Sequence, residues 1–404
     1  MPGIKILNDP IYGFVMIPKG LILSLMDHAW FQRLRRIKQL GLSYYVYPGA
    51  VHSRFHHAVG VFHLMSQAID VLRQKGVAIQ KEEAQAAQIA ALLHDVGHGP
   101  FSHVLENSLV PLEHEQLTLM IMDALNRELN GSLDLVIEIF KGNHPKKFLC
   151  ELVAGQLDVD RMDYLNRDSF YSGVVEGTIG YHRLLTMMDV VDNRLVFEEK
   201  AGLSIENYLA ARRLMYWQVY MHKTSLVAEQ MLELLLARCK KLGRHDFASP
   251  ALDYFISLQV ETPESLDRSE LLMQFQKIDD SDIEMFLKCC GSSNDALTSY
   301  LAKGLLQRNF FKIHMQKIPF DDAYVAELRS NCIKQFNCSS AEAEQMVHLS
   351  KMEFLAYETK HSEIQIRTKQ GSIYNASDCL KLDHLCNVEE KYYLSVPREL
   401  IGVS

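Results

Sequence analysis

Apolar positions along this chain follow two different periods. Residues 4–17 alternate around NDP and a glycine (IKIL-NDP-IYG-FVMI), which predicts a small hairpin. Helical spacing then takes over: Val59, Phe62, Met65, Ile69 and Leu72 make one stripe that ends near Gly76. Residues 83–94 (EAQAAQIAALLH) read as a buried helix stopped by Gly97, Gly99 and Pro100. The longest helical run is 204–242, with Ser204 as its N-cap, a stripe through Leu232 and Leu236, and Lys240–Lys241 ahead of Gly243. Short helical patterns persist from about 245 to 353, after which IQIRTKQGSIYN and KYYLSV look like strands. The expectation is a mostly α fold with an N-terminal hairpin, dividing near 245 into a core (1–245) and a C-terminal α+β region (246–404).

Composition narrows the functions. A chain of 404 residues has room for two or three ordinary cores, or one large helical domain with an attachment. Its 48% hydrophobic and 23% charged residues suit a globular protein folded throughout. A net charge of -8 argues against broad attraction to nucleic acid or anionic membrane, so a phosphate ligand has to be held locally, by a metal or a few Arg and Lys. The start, MPGIKILNDP, lacks the regions of a signal peptide, and no run of 18 apolar residues follows. Eight cysteines without a CxxC pair point to reduced, mostly buried thiols in a cytoplasmic protein, not to a cysteine zinc site.

Three segments carry chemistry. HDVGHGPFSH at 94–103 sets three histidines and an aspartate around a Gly- and Pro-rich break after a rigid helix, a donor set suited to a first-row divalent metal. As an isolated pair, His94 and Asp95 would merely cap the helix and satisfy each other; His98 and His103 favour the metal. HSRFHH at 52–57 opens the helix that begins near Arg54, where His52 and His56 read as solvated. In LDVDRMDYLNRD at 157–168, Asp160, Tyr164 and Asp168 share one helical face beside Arg161. Two carboxylates there repel unless a cation or hydrogen bonds intervene, although alone such a face is usually solvated and paired with Arg161 and Arg167.

Together these segments resemble the HD-domain superfamily of metal-dependent phosphohydrolases, whose ligand order of His, His-Asp and Asp maps onto His57, His94–Asp95 and Asp160. NDPIYG at 8–13, FQRLRRIKQLG at 31–41 and YYVYPGAVHSRFHHAVGV at 44–61 bring the resemblance closer to its deoxynucleoside triphosphate triphosphohydrolase branch. It covers roughly residues 1–240. The resemblance implies an HD-domain helical fold, Arg54 as a phosphate contact, and His98, His103 and His114 as active-site histidines near Glu106. It further implies Arg161, Tyr164 and Arg212 against the phosphates, Gln39 and Asp168 on the sugar 3′-hydroxyl, and Tyr220 beneath the sugar. Met221 departs from the family's glutamine, a base contact. Lys5, Asn8, Asp27, Gln32 and Arg35 resemble a guanine-nucleotide activator site between subunits of a homodimer or homotetramer, but the acidic FEEK near 195–202 lacks the pocket's basic positions.

The expected reaction is hydrolysis of a dNTP to a deoxynucleoside and triphosphate, with His103 as general acid oriented by His114 and Glu106. Two imidazoles imply Mn, Fe, Zn or a similar metal at the HD site, and Mg with the triphosphate. The HD quartet equally serves a nucleoside monophosphate or a guanosine alarmone. A nucleotide- or nucleic-acid-binding protein with little turnover is the alternative of another class, resting on Arg33, Arg35, Arg36 and Lys38.

Overall fold

The computed structural model describes residues 3–110, 112–243, 248–259, 267–358, 363–382 and 385–401, apart from the side chains at 102, 103 and 107. The expected hairpin forms from β1 (Ile4–Asp9) and β2 (Gly13–Pro18), antiparallel with Ile6 opposite Met16. Asp9 holds its turn by accepting the backbone N–H groups of Ile11 and Tyr12. Val15 and Ile17 point into the core, while α1 (Leu21–Asp27) and α2 (Ala29–Arg33) lead the chain toward the helices behind them.

Two helices form the frame of the site. In α3 (Arg54–Gln74) the stripe read from sequence is buried throughout, and a capping box between Ser53 and His56 fixes where the helix begins. A second box, between Gln80 and Glu83, opens α4 (Lys81–Leu93), whose alanine-rich surface packs on α3. Around them lie α5 (Ser102–Ser108), α6 (His114–Glu128), α7 (Asp134–Phe140), α8 (Lys147–Val153), α9 (Val159–Ser172) and α10 (Tyr181–Thr186). α9 crosses α3 closely at Gly60: a Cβ there would stand 1.9 Å from Asp163 Oδ1, so only glycine permits this approach.

The run 204–242 is not one helix. It divides into α11 (Gly202–Met215), a π turn over 216–220, and α12 (Lys223–Leu242). The wide turn closes with Met221 N–H bonded to Tyr216 O, after which His222 caps the new helix through Nδ1, 3.1 Å from Thr224 N. Ser204 therefore lies inside the first turn of α11 rather than capping it. Gly243 ends α12 in the left-handed region, as its position predicts.

β3 (Met188–Val191) and β4 (Arg194–Glu198) form a hairpin through Asp192 and Asn193, both at positive φ. β4 is joined in parallel by β7 (Gln365–Arg367), and β7 pairs with β8 (Ile373–Asn375). A separate sheet has β9 (Glu389–Val396) between β5 (Lys312–Gln316) and β6 (His348–Phe354). IQIR, IYN and KYYLSV thus become strands as expected, whereas β5 and β6 were hidden by their polar texture. Short helices fill the chain between Pro250 and Met346. The fold is mostly α, with the N-terminal hairpin and the C-terminal α+β region read from sequence. Among the described residues no helix is long and apolar enough to cross a membrane, and the eight cysteines are all free.

Candidate active site

Three helix ends bring the chemistry together. Arg54 and His57 stand in the first turn of α3, His94 and Asp95 follow the last residue of α4, and Asp160 lies in the first turn of α9. The α9 start is fixed by Asp158, which accepts the Arg161 N–H at 2.8 Å. Gly97 lets the loop after Asp95 press onto α6, because a Cβ there would meet His114 O at 2.2 Å.

His57, His94 and Asp160 converge. The two Nε2 atoms are 3.2 Å apart, and Asp160 Oδ1 lies 3.0 and 3.5 Å from them. Each ring is anchored through Nδ1, His57 to Asp163 Oδ2 at 2.7 Å and His94 to Ala91 O at 2.7 Å, leaving Nε2 facing the centre. Donor atoms about 3 Å apart suit a shell whose metal bonds are about 2.0–2.2 Å long. Two imidazoles beside carboxylates suit a first-row divalent ion, so these residues fit the metal expected of them.

The charges agree. Burial opposes a proton on His57, yet hydrogen bonds to Asp160 and Asp163 outweigh it and push the ring up to about 10. Burial likewise opposes ionisation of Asp160, and the two histidines reverse that, holding its carboxyl well below the usual range. Asp95 is the looser member of the quartet. Its oxygens lie 3.7 Å from His57 Nε2 and 3.3 Å from His94 Nε2, but it also accepts from Arg54 Nη1 at 2.6 Å and meets His98 Nε2 at 3.3 Å.

A second group adjoins the first. His98 stacks on His114 at 3.9 Å between ring centroids, and Glu106 lies 3.6 Å from His98 Nδ1 and 3.4 Å from His114 Nδ1. Burial resists the charge on Glu106, but its two histidines prevail and bring the carboxyl down to about 2. Burial and Arg54 push the His98 ring down; on His114, Glu106 overcomes burial and raises it. The two stacked rings are thus shifted in opposite directions. His103 belongs to α5, but its side chain lies outside the described residues.

Gln39, Arg54, Tyr164, Asp168 and Tyr220 line one cavity of about 300 Å³, with Phe101, Met221, Leu226 and Glu229 among the residues completing its wall. Asp168 is engaged at both oxygens, with His52 Nε2 at 2.8 Å and with Tyr220 OH, which donates at 2.9 Å. Tyr164 meets Tyr220 edge-on, and burial pushes its hydroxyl up to about 12. Arg161 and Arg212 line a different cavity of about 320 Å³ with Gln156, Leu355 and Glu358. Arg161 bonds Asp158 and Gly155 O, and Arg212 donates to Ala356 O at 3.0 Å. Helical spacing predicts Arg212 and Tyr220 on one pocket; here they line two different cavities.

Several expectations need correction. His52 is not solvated: it is 2% exposed, bonded to Asp168 and stacked on Tyr171, whereas His56 is exposed. On the α9 face, Asp160 meets His57 and His94 and Asp168 is bonded by His52 and Tyr220, while the buried Arg167 pairs instead with Asp163 and Asp9. The basic run is tied into the fold. Arg33 is buried and donates to the carbonyls of Ile278 and His98, Arg36 pairs with Asp279, and Lys38 with Asp280 and Glu284. Arg35 stacks on Phe55 and donates to Gln32, so two of the four cations face carboxylates. Of the activator residues, Lys5 pairs with Asp27 at 3.3 Å, Gln32 donates to Met26 O, and Asn8 is exposed on β1. Sequence reasoning missed Asp163 as His57's anchor and Glu229 as a cavity wall.

Comparison with known proteins agrees with this geometry. Residues 54–168 match the HD domain, and 179–250 match the HD associated region. A Bacillus subtilis protein, YwfO, is 33% identical over 315 residues, 76% of this chain and 71% of its own. The human deoxynucleoside triphosphate triphosphohydrolase SAMHD1 is 31% identical over 273 residues, and its Dictyostelium discoideum homologue 33% over 249. The match covers 56% of this chain in both cases, and only 43% and 48% of those longer relatives. A crystal structure of a phosphohydrolase from Bacteroides thetaiotaomicron superposes with a TM-score of 0.93 at 46% identity, covering 98% of this chain and 100% of that one. With the ligand order, the helix-end geometry and these likenesses in agreement, the chain belongs to the HD-domain family of metal-dependent phosphohydrolases.

Proposed function

We propose that this chain hydrolyses deoxynucleoside triphosphates to a deoxynucleoside and inorganic triphosphate. One observation carries the reading: Arg54 lines the cavity that holds Gln39, Asp168 and Tyr220, and the same guanidinium bonds Asp95 beside the His57–His94–Asp160 cluster. A nucleoside in that cavity would therefore present its phosphates to the cluster. The human and Dictyostelium relatives carry the triphosphohydrolase activity in their names, which supports the same substrate.

A divalent metal held by His57, His94, Asp160 and Asp95 supplies Lewis acidity toward a phosphoryl oxygen and acidifies water. The protein's own groups do the rest. Arg54 offsets charge that builds on the α-phosphate oxygens during attack at phosphorus. Breaking the bond to the 5′-oxygen requires a proton there, and imidazole titrates in the useful range. His103, on α5 one turn before Glu106, donates it in this reading; Glu106 holds the next proton on His114 Nδ1. Gln39, with a buried Oε1 lacking a partner among the described residues, accepts the sugar 3′-hydroxyl, and Tyr220 lies under the ring. The metal is Mn, Fe, Zn or similar, with Mg accompanying the triphosphate.

Incubating the purified chain with each dNTP and Mn²⁺, then separating products by ion exchange, tests the proposal. Deoxynucleoside and triphosphate in equal amounts are expected. Release of monophosphate and pyrophosphate, or turnover restricted to monophosphates or alarmones, would overturn it.

A further inference from the structure

The far wall of the cavity bears one carboxyl group that the reaction above does not use. Glu229 sits on α12, one turn beyond Leu226, and both side chains line the cavity with Met221. Its Oε1 lies close to Gly41, where a Cβ would stand 3.8 Å from that oxygen. The other charged groups of the cavity have partners. Lys38 is bound by Asp280 and Glu284, Arg54 by Asp95, and Asp168 by His52 and Tyr220. Glu229 has no hydrogen-bonding or ionic partner among the described residues. Burial, reinforced by Glu233 one turn on, pushes its carboxyl up to about 7, as expected where no donor stabilises the anion.

We propose that Glu229 reads the base of the substrate, accepting the two adjacent N–H groups of guanine, and so makes dGTP the preferred dNTP. The inference rests on the dNTP reading above. Phe101, Leu40, Met221 and Leu226 offer a flat ring an apolar slot, and Glu229 sets what the ring's polar edge must present. Two N–H groups of a bound base would favour the ionised form of Glu229, which has only acceptors. Guanine presents N1–H and the 2-amino group side by side, matching both oxygens. Adenine and cytosine set a lone pair beside their amino group, and thymine flanks its single N–H with two carbonyls. Each of these turns an acceptor toward an acceptor.

The test measures kcat/KM for the four dNTPs and dITP with Mn²⁺, in the full chain and in Glu229→Gln and Glu229→Ala, with thermal melts to show that both variants fold. A bidentate base contact is worth about 1–3 kcal/mol of discrimination, so dGTP should exceed dATP by roughly tenfold or more. dITP, lacking the 2-amino group, should fall below dGTP. Glu229→Gln places one donor beside one acceptor, matching adenine, and should reverse the dGTP:dATP ratio; Glu229→Ala should flatten it. Unchanged ratios among the dNTPs in folded Glu229→Gln would overturn the assignment and leave the dNTP reading intact. Failure of the parent chain to cleave any dNTP would overturn both.

Discussion

Replacing Asp163 by Asn tests whether this buried carboxylate tunes the metal site or only glues two helices together. Asp163 holds His57 Nδ1 at 2.7 Å with Oδ2, and pairs with Arg167 Nε and Nη2, both at 2.9 Å. The carboxyl is fully buried, and although burial opposes its charge, Arg167 and His57 bring it down to about 2. An asparagine of the same shape has one acceptor and one donor group, so it cannot satisfy both neighbours. Loss of such an orienting partner typically weakens metal affinity by about 10- to 100-fold, equivalent to roughly 1.4–2.7 kcal/mol. Stability should fall too, by about 1–3 kcal/mol, because Arg167 keeps Asp9 as a partner and is not stranded. Asp9→Asn supplies the comparison, since Asp9 touches Arg167 at 2.9 Å and has no contact with His57 among the described residues. It should cost stability while leaving metal affinity unchanged. Calorimetric Mn²⁺ titration alongside urea unfolding separates the two effects. Parental affinity in Asp163→Asn, or an equal loss in Asp9→Asn, would refute the reasoning.

Further outcomes are expected. Asp160→Ala and His94→Ala should each lose metal and turnover, as elemental analysis of the purified variants would show; full occupancy in both would remove them from the ligand set. A ribose 2′-hydroxyl against the Tyr220 ring would be buried without a partner, costing about 1–3 kcal/mol, so dGTP should be cleaved roughly tenfold to hundredfold faster than GTP. Tyr220→Ala should narrow that ratio, and equal kcat/KM for the two sugars in the parent would rule out this placement. The Glu342 carboxyl is brought down to about 2 by the Ser339 N–H, which overcomes partial burial with help from Lys241 and Arg238. Its folded value lies below its unfolded one, so its contribution is complete above about pH 4.5 and vanishes as pH falls toward 2. The Tm gap between the parent and Glu342→Gln should close over that interval. Light scattering should give a dimer or tetramer, and GTP or dGTP should raise the rate if Lys5, Asn8, Asp27, Gln32 and Arg35 bind an activator; a monomer with an unaltered rate would remove both ideas.

What could be read from the sequence was local or ordered. His94 and Asp95 announced themselves inside a ten-residue motif, and His57 and Asp160 followed from their order along the chain. The burial of Asp163 and Arg167 was invisible because it depends on α9 crossing α3, and the single local sign of that crossing is Gly60 in the middle of a helix. Likewise the partners of Arg36 and Lys38 lie at 279–284, far along the chain, so the pairing of half the run could not be read locally. The π turn escaped because the apolar positions keep helical spacing across it, with Met215 and Val219 four residues apart and both buried. Asp192–Asn193 was a readable hairpin turn, and the strands beside it were overlooked in favour of the charges that follow.

The parallel pairing of β4 with β7 matters for how this protein can change over generations. Val196 faces Gln365, Phe197 faces Ile366 and Glu198 faces Arg367, while Leu355 and Glu358 close the cavity shared by Arg161 and Arg212. A fragment cut at 245 would retain every candidate ligand yet bare the edge of β4 and remove one wall of that cavity. Grafting the last third from a relative would import a different wall along with the strand. A substitution in the tail strand is therefore expected to be felt by residues more than 150 positions upstream.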